Sequence, residues 1–446
     1  MNKIIIALSL TVLVLACKPG EVEVKDISFS GKIENPKGDT LFLRNDDIME
    51  KYAVAEDGTF GGTFQGIADY YIFSYNRESA YAYLKPGDET TVSLDTKEFD
   101  ESLKFEGSGA AENNYLVTKY LISEKLAEEM STKELYSMEE DTFVYNVKNQ
   151  EKAMIENLEA SSISKAFSEI EADNIKYYIL GKLNRYKSYH SYFTDNDGFE
   201  PSEAFNKQFE SIDFENETLF KTVPSYNSLV LSHFTKDELS ESLAALKPIQ
   251  GTSIKNAVIK RLTSWLSPGE DNLKSLVDEM ISLTDDNELV AELNDAYSNM
   301  EKLIKGNDSP GFEYKSVKGG MVNLEDLKGK NVYIDVWATW CGPCKAEIPH
   351  LKELEKQYHG ENIEFVSISV DEPKDEAKWE QMISDKDLKG VQLLSDNGWD
   401  TDFVNNYLIR GIPRFILLDK DGKIVSADAP RPSSDDKIQG MIEDLL

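Results

Sequence analysis

Cysteine is the scarcest informative residue here, with 3 in 446 positions, and histidine follows with 4. Three cysteines cannot build a scaffold stapled by several disulfides. A structural zinc site needs about four ligands. Cys341, Cys344 and four scattered histidines supply no second half, so no metal is expected. Basic residues are also few: 48 Lys and Arg stand against 81 Asp and Glu, for a formal net charge of −33. That balance argues against nucleic acid, because phosphate binding needs basic patches. It fits a soluble body that repels anionic surfaces. No apolar run is long enough to span a bilayer; the longest, Ile4–Ala16, is too short. No repeat of fixed period is visible, and no cofactor is expected. The length argues for two or three domains, and 40% hydrophobic residues suffice for real cores.

The cysteines that are present are placed tellingly. Cys17 closes MNKIIIALSLTVLVLAC, in which Lys3 gives a positive start and an apolar stretch follows. This reads as an export signal. Its Leu-Val-Leu-Ala-Cys ending resembles a bacterial lipobox, which implies a lipidated Cys17. The chain would then be anchored to a membrane without spanning it. Only Cys341 and Cys344 would remain as thiols. An exported protein usually uses disulfides as staples; a single CxxC pair points to redox work.

Along the chain, residues 1–16 read as a lipoprotein signal peptide and 17–25 as lipid anchor and tether. Residues 26–108 alternate in the β manner, with turns such as Asp57-Gly58 between about eight short runs. This predicts a small antiparallel sandwich or barrel. Its aromatics (Tyr70, Tyr71, Phe73, Tyr75, Tyr81, Tyr83) are assigned to its core rather than to a binding face. Residues 109–305 change to a 3.6 period and predict packed helices, including Ile175–Tyr189 and Leu273–Ile304. Asp195-Asn196-Asp197-Gly198 looks like a calcium-loop fragment, but Phe193 would fall on the first ligand position, so it reads as a turn. Gly306–Pro310 reads as a linker. Residues 306–446 alternate strands and helices. The fold class is multidomain, α+β and α/β.

The stretch Val332–Pro349, VYIDVWATWCGPCKAEIP, organises the whole. Val332 to Trp337 reads as a buried strand. The CxxC follows at once, and then Ile348, Leu351, Leu354 and Tyr358 lie on one helical face. Only a thiolate attacks a disulfide, and a free thiol with a pKa of about 8.5 is mostly inert at neutral pH. A helix start presents unpaired N–H groups and a dipole that favour negative charge. Pro343 suits a first turn because its missing N–H would have no partner there, and Gly342 lets the backbone turn freely. Cys341 is then expected to be the exposed nucleophile and Cys344 the buried resolving thiol.

These residues, with Gly411-Ile412-Pro413, resemble the thioredoxin family, and more closely its membrane-anchored, extracytoplasmic TlpA/ResA-type branch of thiol–disulfide oxidoreductases. The likeness covers about Pro310–Leu446; for the first 300 residues it is a matter of pattern only. The resemblance implies that Pro413 is a cis-proline against the CxxC, leaving the Ile412 backbone to pair with a substrate. Asp335 matches the buried acid that shuttles a proton for the resolving cysteine, and Glu347 an acid typical of the branch. Which acid serves Cys344 stays open. Trp340, Gly342, Pro343, Ile412 and Pro413 would touch substrate. Partners would be disulfide-containing exported proteins, apocytochrome among them, and a membrane electron donor, in the periplasm of a Gram-negative-type envelope. A different class of reading is a ligand- or protein-binding surface lipoprotein with an accessory redox domain. A peroxiredoxin-like antioxidant is a third. It would need P-x-x-x-[ST]-x-x-C, whereas Ile334 and Ala338 stand seven and three before Cys341, and Trp337 and Cys341 before Cys344.

Overall fold

The computed structural model describes residues 25–45, 47–270 and 272–446. Cys17, the signal segment and most of the tether lie outside them. The chain divides into two compact units. The first runs up to Asp213 and adds Thr218–Leu229; the second holds Phe214–Glu217 and Val230–Leu446. The expected boundary at 305/306 therefore falls inside the second unit.

The first unit opens with eight strands: β1 (Ile27–Glu34), β2 (Thr40–Arg44), β3 (Met49–Ala53), β4 (Thr59–Phe64), β5 (Asp69–Tyr75), β6 (Glu78–Leu84), β7 (Glu89–Asp95) and β8 (Lys104–Gly107). They form two four-stranded sheets, in the orders β4-β1-β7-β8 and β3-β2-β5-β6. Period-2 alternation drives this, since successive side chains face opposite sides of a strand. Ile27, Phe29 and Ile33 are buried together with Leu41, Leu43, Phe73, Val92 and Leu94. Tyr71, Phe73 and Tyr75 are core, but Tyr81 is exposed. One pair, β1 with β7, is parallel, so the sandwich is not wholly antiparallel.

Helices follow at Ala110–Glu129, Glu140–Ala160, Lys165–Asn184 and Tyr186–Thr194. The single helix predicted over Ile175–Tyr189 is two. Tertiary packing sets the break: Tyr186 donates to the Met138 carbonyl at 2.7 Å and stacks on Phe143 with ring centroids 4.1 Å apart. A buried polar cluster joins the helices to the sandwich. Glu171 accepts from Tyr70 of β5 at 2.5 Å and from Asn174 at 2.9 Å, and pairs with Lys119 at 2.5 Å. Asp195 takes a left-handed conformation (φ 52°) at a helix end, in keeping with the turn read there.

In the second unit, helices include Leu239–Leu246, Thr252–Thr263, Leu273–Ser282 and Asn287–Met300. The helical run predicted over Leu273–Ile304 is interrupted where the Asp286 side chain caps the next helix by accepting from Glu288 and Leu289 N–H. Seven strands complete the chain: β9 (Glu313–Ser316), β10 (Met321–Asn323), β11 (Asn331–Trp337), β12 (Ile363–Ser369), β13 (Val391–Leu394), β14 (Arg414–Leu418) and β15 (Ile424–Ser426). Their order is β10-β9-β13-β12-β11-β14-β15. Every residue of the central β11 is buried, as its unbroken apolar run demands. The expected linker is not free chain. Gly306 N–H donates to the Ile424 carbonyl (2.8 Å), Ile424 N–H to Asn307 (2.9 Å) and Ser309 N–H to Gly422 (3.1 Å).

Candidate active site

β11 delivers the chain to a short turn and then to the helix Gly342–Gln357. Asp371, just past β12, clamps that turn. Its carboxylate accepts from Thr339 N–H (2.9 Å), Thr339 Oγ1 (2.7 Å) and Ser369 Oγ (2.7 Å). Cys341 N–H donates to the Ala338 carbonyl at 3.1 Å. Cys341 is the N-cap residue, and its Sγ accepts from Cys344 N–H at 3.1 Å. Charge on this sulfur is thus met by a backbone donor and the positive end of a 16-residue helix. Pro343 occupies the first turn, as expected.

Cys341 and Cys344 are joined in a disulfide. The expected contrast in exposure is not found: each is 4% exposed. In this oxidised state Cys341 sits within the apolar cluster around Trp337 and Ile412, with Sγ 3.8 Å from the Ile412 carbonyl oxygen. That contact lays the loop directly beside the disulfide, and the Ile412–Pro413 peptide within it is cis. Trp340 is 57% exposed. It flanks the pair as an open aromatic surface rather than a lid closed over it, and Gly342 and Pro343 beside it are exposed too.

Two acids lie beneath. Asp335, on β11, faces the helix among Ile348 and Leu351. Burial pushes its carboxyl up to about 8, with the charges of Glu347 and Glu355 adding to the effect and the Ser367 hydroxyl across the strand pair opposing it. Glu347 is also buried rather than solvated. It accepts from Ser433 N–H at 3.0 Å and Ser433 Oγ at 2.8 Å. The helix therefore presents Cys344 and Glu347 one turn apart, with Asp335 facing it from the sheet. Arg414 is paired with Asp428 at 2.5 Å, so its charge is committed within the fold. Asp371, Ser433 and the half-buried Glu355 escape a reading of the sequence. An acid directly after a buried strand, as in Ser369-Val370-Asp371, was the only local signal for any of them.

Among the described residues no group of three or more His, Cys, Asp or Glu side chains is arranged to hold a metal, and no helix is long and apolar enough to cross a membrane.

A Redoxin family profile matches residues 304–442. The thiol-disulfide oxidoreductase ResA of Bacillus cereus is 33% identical over 129 residues, which is 29% of this chain and 72% of that protein. The chain belongs to the ResA-type thiol-disulfide oxidoreductases. ResA of Bacillus subtilis is 31% identical over 134 residues, covering 30% of this chain and 71% of its own. Among solved structures, the thioredoxin domain of a thiol-disulfide oxidoreductase from Bacteroides vulgatus is 28% identical, covers 32% of this chain and 97% of its own, and overlays with a TM-score of 0.29. The ResA likeness makes the chain an enzyme with protein-disulfide reductase chemistry.

Proposed function

We propose that this chain is a lipid-anchored dithiol reductase of exported proteins. The observation that carries the reading is the Cys341–Cys344 disulfide at a helix start, laid against the Ile412 carbonyl and flanked by the open Trp340 face. In the reduced protein, Cys341 thiolate attacks a partner disulfide; a Cys341–partner bond forms and one partner thiolate leaves. Asp335 takes the Cys344 proton, Cys344 attacks Cys341 Sγ, and the second partner sulfur leaves and is protonated. Two electrons have passed to the partner, and a membrane electron donor restores the dithiol. Glu347 positions the helix through Ser433. Trp340, Gly342, Pro343, Ile412 and Pro413 hold the partner strand. Residues 1–16 are removed on export, Cys17 carries lipid, and 17–25 tether the body in the periplasm. Residues 26–108 and 109–305 form the β-rich and helical domains, and 306–446 the redox domain.

The test is insulin-disulfide reduction by the protein from Lys18 onward with dithiothreitol as donor, beside Cys341→Ser and a redox titration. Turnover should fall at least about a thousandfold in the variant, as when one member of a catalytic unit is removed. The Gly-Pro dipeptide between the cysteines predicts a midpoint near the thioredoxin value of about −270 mV, and a value above about −150 mV overturns the reductase reading. An unmodified Cys17 in the mature protein, seen by mass spectrometry, overturns the anchor.

A further inference from the structure

Behind Asp335 lies a small cavity lined by Asp335, Ser367, Glu355 and Gln392, with Ile348 and Leu351 as its apolar wall. It is close to the smallest size that holds one water. Gln392 is buried, and its Oε1 has no hydrogen-bond partner among the described residues, while its Nε2 donates to the Lys389 carbonyl. A buried acceptor without a partner is costly, so the site favours a water that donates to it. Glu355 is half-buried and reaches both this cavity and solvent. Its place is built: a Cβ at Gly390 (φ +62°) would come within 3.0 Å of Glu355 Oε1 and 2.5 Å of the Phe365 carbonyl.

The charged groups around it leave Glu355 free to change state. On its own helix stand Glu347 and Lys352, on β11 Asp335, on β12 Glu364, and after the helix Glu376–Lys386 stands Lys389. Lys352 donates to the Lys386 carbonyl at 2.8 Å, Lys389 to Asp387 at 2.5 Å, and Glu364 pairs with Lys330 at 2.6 Å. Among the described residues Glu355 makes no ion pair.

We infer that Glu355 is a proton-relay residue: through one water held by Gln392 it passes protons between Asp335 and solvent. The inference rests on the proposed reductase reading. When Cys344 attacks Cys341 Sγ in the mixed disulfide, the Cys344 proton goes to Asp335, then through the water and Glu355 to bulk. The Cys341–Cys344 bond forms, the Cys341–partner bond breaks, and the partner thiolate takes a proton from solvent. Burial sets Glu355 near 7 and Asp335 near 8, values suited to exchange at neutral pH.

The experiment uses the full chain, with stopped-flow tryptophan fluorescence following the resolving step across pH 5–9 at low and high imidazole. Native rate should be insensitive to imidazole. Glu355→Gln should be about tenfold slower at low buffer, recover as imidazole carries the proton instead, and be matched to native by Glu355→Asp. Gln392→Met, which keeps shape but removes the water's acceptor, should show the same buffer dependence and stands independently should Glu355→Gln not fold. Native-like rates in the variants, or a slowing that imidazole does not relieve, overturn the relay. Absence of disulfide reduction by the native chain overturns instead the reading beneath it.

Discussion

Each unit buries a carboxylate, and the two are treated in opposite ways. Glu171 in the first unit is fully enclosed and receives a lysine, a tyrosine and an asparagine. Although burial acts to raise it, those partners hold its carboxyl below the ordinary glutamate value. Asp335 in the second unit is also buried and, among the described residues, makes no ion pair; burial and two neighbouring acids push it up to about 8. Glu171 therefore stays charged and ties a sheet to two helices. Asp335 titrates near neutral pH, so it is mostly protonated there while a charged fraction stays available to take a proton. A buried acid with every oxygen matched is a joint; one left in need of charge balance is suited to proton transfer.

The comparison breaks if Asp335 behaves like Glu171. Its folded value lies above the unfolded one, so between about 4 and 8 the folded state holds a proton that the unfolded state has lost. Stability should therefore be full below about 4 and fall by about 1.4 kcal/mol per pH unit up to about 8. Asp335→Asn should remove that slope and be several kcal/mol more stable than native at pH 8, read by urea unfolding. The same variant should slow the resolving step by about a hundredfold or more, the usual weight of a general acid–base group. Lys119→Met tests the other side. Leaving Glu171 charged and alone should destabilise by about 3 kcal/mol, with insulin reduction per folded molecule unchanged. Glu347→Gln sharpens the contrast within the redox domain. It should cost about 1–2 kcal/mol through weaker bonds to Ser433 and change turnover by less than about tenfold. Arg414→Ala, which removes a half-exposed pair with Asp428, should shift stability by about 0.5 kcal/mol or less and leave turnover unaffected.

Much of this was legible in the chain because local pattern and global fold agree. Asp335 stands out as one acid in an unbroken apolar strand, and strand–CxxC–helix leaves little freedom for Cys344. The β-rich opening reads well because period-2 alternation and turn residues are local signals. What was missed depends on distance. Glu347 and Ser433 are 86 positions apart, so nothing near Glu347 distinguishes it from a solvated helical glutamate. Glu171 likewise hides in a charged helix and meets Tyr70 across 101 positions. The exposure expected of Cys341 follows from helix-start chemistry, which is blind to the Ile412 loop that closes over it. The break before Tyr186 is made by Phe143 and Met138, neither of which alters the helical period.

The segment 306–309 has a consequence for anyone cutting this protein into pieces. By pairing along β15 it occupies backbone donors and acceptors that would otherwise face outward at the last strand of the sheet. A redox fragment begun at Pro310 would strip that cover and offer a ready template to a second copy of itself. One begun a few residues earlier, at Leu303, would keep the strand closed. The choice of start site thus decides between a monodisperse fragment and one prone to self-association.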